Sequence, residues 1–106
     1  MCNSLKIDPK ELLDFLTETS GAAKVLKIRQ VPIVARMKGD PPAPATFDVD
    51  GGIKDIKAML AEAKRRGIEL PVLARTLDCY EEAKRHSGGD DEISAGVAVY
   101  WANRKR

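Results

Sequence analysis

Residues 47–67 read FDVDGGIKDIKAMLAEAKRRG, and the spacing of their apolar side chains predicts the helix around which the fold is organised. Apolar side chains recur every three or four residues, as they do along one face of an α-helix. Gly67 is a typical stop after the last turn, and the basic run before it suits the negative end of the helix dipole without any ligand. We expect Gly51 and Gly52 to be turn residues that precede this helix. The apolar positions are Ile53, Ile56, Met59, Leu60 and Ala63.

Two helical segments precede this stretch. The first opens at Asp8, a favourable N-cap, with Pro9 in the first helical position. The second begins near Ala22, and we expect Pro32 to interrupt it because proline cannot donate the helical hydrogen bond. Lys38 to Asp50 then forms the one long connection. The first helix carries an apolar stripe predicted to be buried, made of Leu12, Leu13, Phe15 and Leu16.

Two more helical segments follow the stretch. The fourth opens at Pro71 and ends at Ser87-Gly88-Gly89, and the fifth follows the acidic run Asp90-Asp91-Glu92. No alternating strand pattern competes with these five segments. The sequence therefore predicts an all-α fold, a compact bundle of about five helices, with residues 1–106 as a single helical domain. The apolar faces are Leu73, Leu77, Tyr80 and Ala83 in the fourth helix, and Ile93, Val97, Tyr100 and Trp101 in the fifth.

The composition excludes several classes of protein. The 106 residues are 43% hydrophobic and 32% charged, with a net charge of +2 and mixed signs along the chain, so neither nucleic acid nor a membrane is an expected partner. A nucleic-acid role would have to use the short basic tail, which lacks interleaved aromatic residues. Cys2 and Cys79 do not make a disulfide framework, no apolar run could span a bilayer, and no secretory signal is visible. We expect a cytoplasmic protein.

No catalytic or metal site is visible in the sequence. There is no glycine-rich dinucleotide or phosphate loop, and no cluster of cysteine, histidine and acidic residues has metal-ligand spacing. His86 is the only histidine, and it has no visible nucleophile or orienting partner. Cys79 has no thiolate-stabilising neighbourhood and is interpreted as a packed thiol. We therefore name no catalytic residue and no metal ligand.

The junction between the long connection and the third helix holds the one local group of interest. Phe47 is the only large apolar residue in the second half of the connection, and it could either pack into the core or line a ligand site. Lys54, placed in the first helical turn by this reading, is a cation where the dipole disfavours one. It could pair with a nearby carboxylate or be presented to an anionic ligand over the helix start.

The order of these pieces resembles the C-terminal domain of the β-hydroxyacid dehydrogenases, which include 3-hydroxyisobutyrate dehydrogenase and the glyoxylate/succinic semialdehyde reductases. The family pattern has a Phe, then eight residues on the Asp of a Lys-Asp pair, a helix rich in Leu and Ala, a Gly and a Leu-Pro. Residues 47–73 are similar to it, and the run from Gly89 to Ala95 resembles the G-D-E-D-F-S-A start of the family's last helix, with Glu92 and Ile93 as departures.

The resemblance implies a fold like the C-terminal domain of 6-phosphogluconate dehydrogenase-type enzymes, and a role in NAD(P)-dependent oxidation of 3-hydroxyacids. It places Lys54 at the nicotinamide end of the cofactor, and Phe47 and Asp55 on the substrate side. The family's Rossmann domain and the interdomain helix with its catalytic lysine are not found in residues 1–106. We thus expect the chain alone to be inactive and to hold no cofactor, with NAD or NADP bound only in the full enzyme.

Two readings of the function remain open at this point. The first is the substrate-side and dimerisation domain of such a dehydrogenase, with a second copy or the missing Rossmann half as partner. The alternative is a stand-alone helical protein–protein interaction module that has lost the enzymatic role. In either case apolar surface without a covering element would favour association.

Overall fold

Five α-helices make up the part of the chain that the computed structural model describes, residues 5–41 and 44–104. They are α1 (Pro9–Thr17), α2 (Lys24–Met37), α3 (Val49–Arg65), α4 (Pro71–Ser87) and α5 (Ile93–Asn103). Within those residues there is no strand, only one isolated antiparallel bridge between Asp48 and Glu92. The predicted all-α fold of five helices is confirmed. Cys2, Pro42, Lys105 and Arg106 lie outside the described residues.

Helix α5 is the centre of the packing. It contacts α2, α3 and α4, while α3 also packs on α4, and α1 packs on α2 at the edge of the bundle. The apolar core lies where α3, α4 and α5 meet, and it is small and aliphatic, as the scarcity of aromatic residues predicts. Its buried apolar members are Val49, Ile53, Ile56, Ala63, Ala83 and Ala95.

Several helix ends follow their local sequence. The Asp8 carboxylate accepts a hydrogen bond from the Lys10 amide (3.1 Å), and Pro9 occupies the first position of α1, both as predicted. Gly67 and Gly88 follow α3 and α4 with φ of +70° and +91°, a conformation that other residues rarely adopt. The predicted ends of these two helices are therefore confirmed.

The expected break at Pro32 is wrong, because α2 continues through it to Met37. Proline forfeits one helical hydrogen bond, but the residues on both sides of it are fixed by tertiary contacts. Arg29 and Arg36, two turns apart, reach the neighbouring acids Glu92 and Asp91 at the start of α5. A helix that broke at Pro32 could not present both guanidinium groups to adjacent residues.

The predicted start of α3 is also wrong. Gly51 and Gly52 are helical residues, and the N-cap is Asp48, whose carboxylate accepts from the Gly51 amide at 2.7 Å. Gly52 is buried because α5 approaches it closely. A Cβ at this position would lie 2.3 Å from Cδ1 of Ile93. These glycines allow close packing against the helix, and they do not form the turn that we expected.

The stripe predicted to be buried on α1 is only partly covered. Leu12, Leu13 and Leu16 are half-buried, but Phe15 is 68% exposed. Helix α1 is short and packs mainly against α2, so one side of it is covered and the ring of Phe15 lies on the other. A short amphipathic helix at the edge of a bundle cannot bury a stripe four residues wide.

Candidate functional site

The start of α3 is tied to the start of α5 by three main-chain hydrogen bonds. The Val49 amide donates to the Asp91 carbonyl (3.0 Å), the Asp50 amide to the Gly89 carbonyl (2.8 Å), and the Ile93 amide to the Phe47 carbonyl (3.1 Å). These bonds convert the end of a proline-rich connection into a fixed segment. Residues 47–50 are therefore held by the fold, although the sequence around them reads as a loop.

A salt bridge also joins the start of α3 to α4. The Lys84 ammonium lies 2.6 Å from Oδ1 of Asp50, and this hydrogen bond raises the pKa of Lys84. Gly89 lies so close to Asp50 that a Cβ on it would be 2.2 Å from the carboxylate. The first turn of α3 is thus fixed by its own cap, by the segment before α5 and by the last turn of α4.

Phe47 lies at the edge of this segment and is 38% exposed, so neither of the two sequence readings describes it fully. Its ring covers Gly51, where a Cβ would lie 2.8 Å from Cε2 of the phenyl ring. The missing side chain at Gly51 leaves room for the ring against the first turn of α3. The Cδ2–Cε2 side of the ring lies against Gly51, and more than a third of the residue remains exposed.

Lys54 and Asp55 are exposed side chains on α3. Since α3 begins at Val49, Lys54 is its sixth residue and lies beyond the first turn, so the predicted conflict with the helix dipole is wrong. Within the described residues, neither side chain forms a salt bridge or a side-chain hydrogen bond, and the suggested pairing of Lys54 with a nearby carboxylate is not observed. Both charged ends are available to a molecule outside the domain.

These residues share one face of the helix. At 100° per residue, Gly51, Lys54, Asp55 and Ala58 fall on the side opposite the buried Ile53 and Ile56. Because the ring of Phe47 covers Gly51, it belongs to the same surface. The structure therefore brings the three sequence candidates, Phe47, Lys54 and Asp55, to a single exposed face, which we call the α3 face.

Sequence reasoning missed the charged cluster behind this face. Arg29 Nη1 donates to Glu92 Oε1 (2.7 Å) and to Thr46 (3.1 Å), and Arg36 binds both carboxylate oxygens of Asp91. The hydrogen bond that Arg36 donates to Asp91 raises the pKa of the guanidinium. Helical periodicity places the arginines on the inner side of α2, but it does not say which acids they meet 55 and 63 residues later.

His86 and Cys79 have structural surroundings. The His86 ring stacks on Tyr100 with centroids 5.0 Å apart, and the Tyr100 hydroxyl donates to Glu82 at 2.7 Å. The Cys79 carbonyl accepts from the indole of Trp101, and its thiol is free. Over residues 5–41 and 44–104, no group of three or more potential ligands could hold a metal ion. No helix in that part of the chain is long and apolar enough to cross a membrane.

The fold and the α3 face define an all-helical domain with charged and aromatic side chains exposed together on one helix face. Residues 1–100 match the family model described as the NAD-binding domain of NADP-dependent 3-hydroxyisobutyrate dehydrogenase, and the chain belongs to this family. The sequence resemblance to the β-hydroxyacid dehydrogenases is supported at this level. A comparison with curated proteins gave no match.

Proposed function

We propose that this chain is the C-terminal, substrate-side and dimerisation domain of an NAD(P)-dependent 3-hydroxyacid dehydrogenase and is not catalytic by itself. The observation that carries the proposal is the α3 face, where Phe47, Lys54 and Asp55 are exposed together in a chain of this family. Lys54 would approach the nicotinamide end of the cofactor, while Phe47 and Asp55 would shape the substrate side. Such roles orient reactants and stabilise charge. A cytoplasmic location is part of the proposal.

The residues present fit one wall of a cofactor site. Phe47 covers Gly51 and is itself partly exposed, so a flat ring could pack against the phenyl group on the side of the helix that carries the Lys54 cation. When bound, the nicotinamide cofactor supplies or accepts the hydride of the reaction. The α3 face is open to solvent, so it can orient a ligand but cannot enclose it or exclude water. A second protein surface is needed to complete the site, and a Rossmann domain is the one that we propose.

A second exposed region indicates where a partner could bind. Ile28 and Val31, on the outer side of α2, are 69% and 75% exposed, and with Pro32, Ala35 and Pro41 they line a groove of about 370 Å³. Exposed aliphatic side chains grouped around an apolar groove are typical of a surface that another protein covers. We propose that the Rossmann half or a second copy of the chain covers this α2 groove.

The test is reconstitution from two polypeptides. The chain is mixed with a separately expressed Rossmann half, including the interdomain helix, of a 3-hydroxyisobutyrate dehydrogenase of this family. Reduction of NADP⁺ and NAD⁺ by 3-hydroxyisobutyrate and related 3-hydroxyacids is followed by absorbance. NADP⁺ is tested first because the family description names it. We expect turnover from the mixture and none from the chain alone.

Lys57 provides the matched control for Lys54. Both are exposed lysines of α3, but Lys57 pairs with Glu81 on α4 (3.2 Å) and points away from the α3 face. Lys54→Ala should lower turnover by about tenfold or more, equivalent to one lost contact to a charged group, and Lys57→Ala should not. Robust turnover by the chain alone would refute the proposal. Equal activity of the two variants would contradict the role of Lys54, and binding of the Rossmann half without turnover would favour the alternative, a helical interaction module without an enzymatic role.

A further inference from the structure

Two salt bridges lie directly behind the α3 face and share adjacent acidic residues. Arg36 binds Asp91 and Arg29 binds Glu92, and all four side chains are largely shielded from solvent. The acids stand side by side before α5, while the arginines are two turns apart on α2. Two buried carboxylates therefore lie in one place, and each is paired with a partly exposed cation.

The oxygens of both carboxylates are also used within the α5 start. Asp91 Oδ1 accepts from the Glu92 amide (2.9 Å), and Glu92 Oε2 accepts from the Ala95 amide (2.7 Å), which caps the helix. Gly96 lies so close to Asp91 that a Cβ would be 2.8 Å from Oδ2. Each acid thus joins α2 to the local backbone, and its orientation is fixed from two directions.

The main chain of the same segment carries the start of α3. The Asp91 carbonyl accepts from the Val49 amide, the Gly89 carbonyl from the Asp50 amide, and the Ile93 amide donates to the Phe47 carbonyl. A change in the position of residues 89–93 therefore moves residues 47–50. Since Phe47 lies on this segment and Lys54 follows on the same helix, the salt bridges and the α3 face are mechanically connected.

A purely stabilising role does not account well for this arrangement. A shielded ion pair adds little net stability compared with apolar residues of similar volume, because desolvation of the charges offsets their attraction. What such a pair does supply is a defined geometry between its two residues. Here Arg36 and Arg29 of α2 fix the positions of Asp91 and Glu92, which lie side by side before α5.

We infer that Asp91 and Glu92, held by Arg36 and Arg29, are positioning residues that set the placement of Phe47 and the first turns of α3. The inference rests on the proposed function, because it assigns the cluster to the α3 face of that site. It also connects α2 to that face, since Arg29, Arg36 and Glu92 line the α2 groove. A partner covering the groove would contact the same groups that hold Phe47 in place.

Fluorine NMR on the isolated chain tests this inference without any enzyme assay. The chain has two phenylalanines, so incorporation of 4-fluorophenylalanine gives one signal for Phe47 and one for Phe15, assigned with Phe15→Leu. Phe15, on α1, is the internal control. Asp91→Asn keeps the shape and Oδ1 but removes the charge that pairs with Arg36. Glu62→Gln makes the same type of change in an exposed carboxylate that pairs with Arg65 and Arg66 on α3.

The expected result is that Asp91→Asn moves the Phe47 signal toward the position of free 4-fluorophenylalanine, while the Phe15 signal and the helical circular dichroism are unchanged. Glu62→Gln should move neither signal. Arg36→Lys, which keeps the cation, should move the Phe47 signal less than Arg36→Met. Glu92→Gln provides the same comparison if Asp91→Asn does not fold.

Three results would overturn the inference. An unmoved Phe47 signal would show that the pairs do not position it. Equal displacement by Arg36→Lys and Arg36→Met would show that the cation has no part in it. Joint movement of both signals with loss of helicity would assign the pairs to general stability. None of these results depends on a cofactor or a Rossmann half, so failure here is distinct from failure of reconstitution.

Discussion

Both terminal nitrogens of the Arg36 guanidinium bind the carboxylate of Asp91, although 55 residues separate the two in the chain. Two parallel hydrogen bonds fix direction as well as distance, which one contact does not. This pair and its neighbour, Arg29 with Glu92, hold α2 against the segment that carries the start of α3. The position of the proposed site thus depends on contacts that lie behind it.

Loss of Glu92 should be strongly destabilising. Glu92 is 7% exposed, and its side chain pairs with Arg29 and caps α5, so Glu92→Ala leaves a largely shielded cation and a helix end without their partner. We expect the free energy of unfolding to fall by about 2–3 kcal/mol. Urea unfolding followed by circular dichroism measures it. Glu62→Ala, which breaks exposed pairs, should cost far less, and equal losses would contradict this account.

The cap of α3 offers a second test of stability. Asp48→Ala removes the acceptor for the Gly51 amide and should lower the free energy of unfolding by about 1 kcal/mol. Asp48→Asn keeps a side-chain oxygen at the same place and should restore most of it. In a domain of this size the alanine variant should melt roughly 4–8 °C lower. An unchanged melting temperature for Asp48→Ala would show that α3 does not depend on this cap.

Acid stability should depend on Glu82. Hydrogen bonds from the Tyr100 hydroxyl and from Arg104 lower the pKa of this carboxyl from its ordinary 4.5. A carboxylate with a lowered folded-state pKa stabilises the fold above its unfolded pKa, and this contribution is lost as the pH falls through the folded value. The free energy of unfolding should therefore fall as the pH drops below 4.5, and Glu82→Gln should weaken that dependence.

The fluorescence of Trp101, the only tryptophan, follows the acid unfolding transition. Its indole donates a hydrogen bond to the Cys79 carbonyl of α4, and Arg104 lies 4.7 Å from its ring centroid. Glu81→Gln is the control, since Glu81 pairs with Lys57 of α3. The same acid dependence in wild type and Glu82→Gln would count against the role assigned to this cluster.

A substitution in the α2 groove should block association of the chain with a partner. Ile28→Glu places a charge on an exposed apolar position, so we expect the stability of the isolated chain to change by less than about 0.5 kcal/mol. Docking of a Rossmann half or a second copy should be weakened at least about tenfold, because the charge would be buried without a partner. Analytical ultracentrifugation and titration of the two halves measure this. Val72→Glu, an exposed change on α4, is the control.

Local sequence signals predicted the five helices, one cap and the glycine stops, because these features depend on residues within one turn. The Asp8 cap and the ends at Gly67 and Gly88 are examples. The course of α2 through Pro32 and the start of α3 at Val49 could not be predicted in this way. The course of α2 is fixed by the binding of Arg29 and Arg36 to the start of α5. The start of α3 combines a local cap, Asp48, with main-chain bonds to residues 89–93, which periodicity does not reveal.

The sequence proposes the members of the candidate site but not its geometry. Phe47, Lys54 and Asp55 came from the spacing and the family resemblance, and the structure brings them to one face. The position of Phe47 over Gly51 depends on a missing Cβ and on hydrogen bonds from residues 89–93, and neither can be deduced from residue spacing.

Chemical protection of lysine tests the central claim most directly. The chain is treated with a lysine-modifying reagent alone, with the Rossmann half, and with the Rossmann half plus NADP⁺, and the modification of Lys54 and Lys57 is compared by mass spectrometry. We predict that Lys54 is protected only when both are present, while Lys57, exposed on the same helix, stays reactive throughout. Equal reactivity of Lys54 in all three samples would contradict the assignment of the α3 face to a cofactor site.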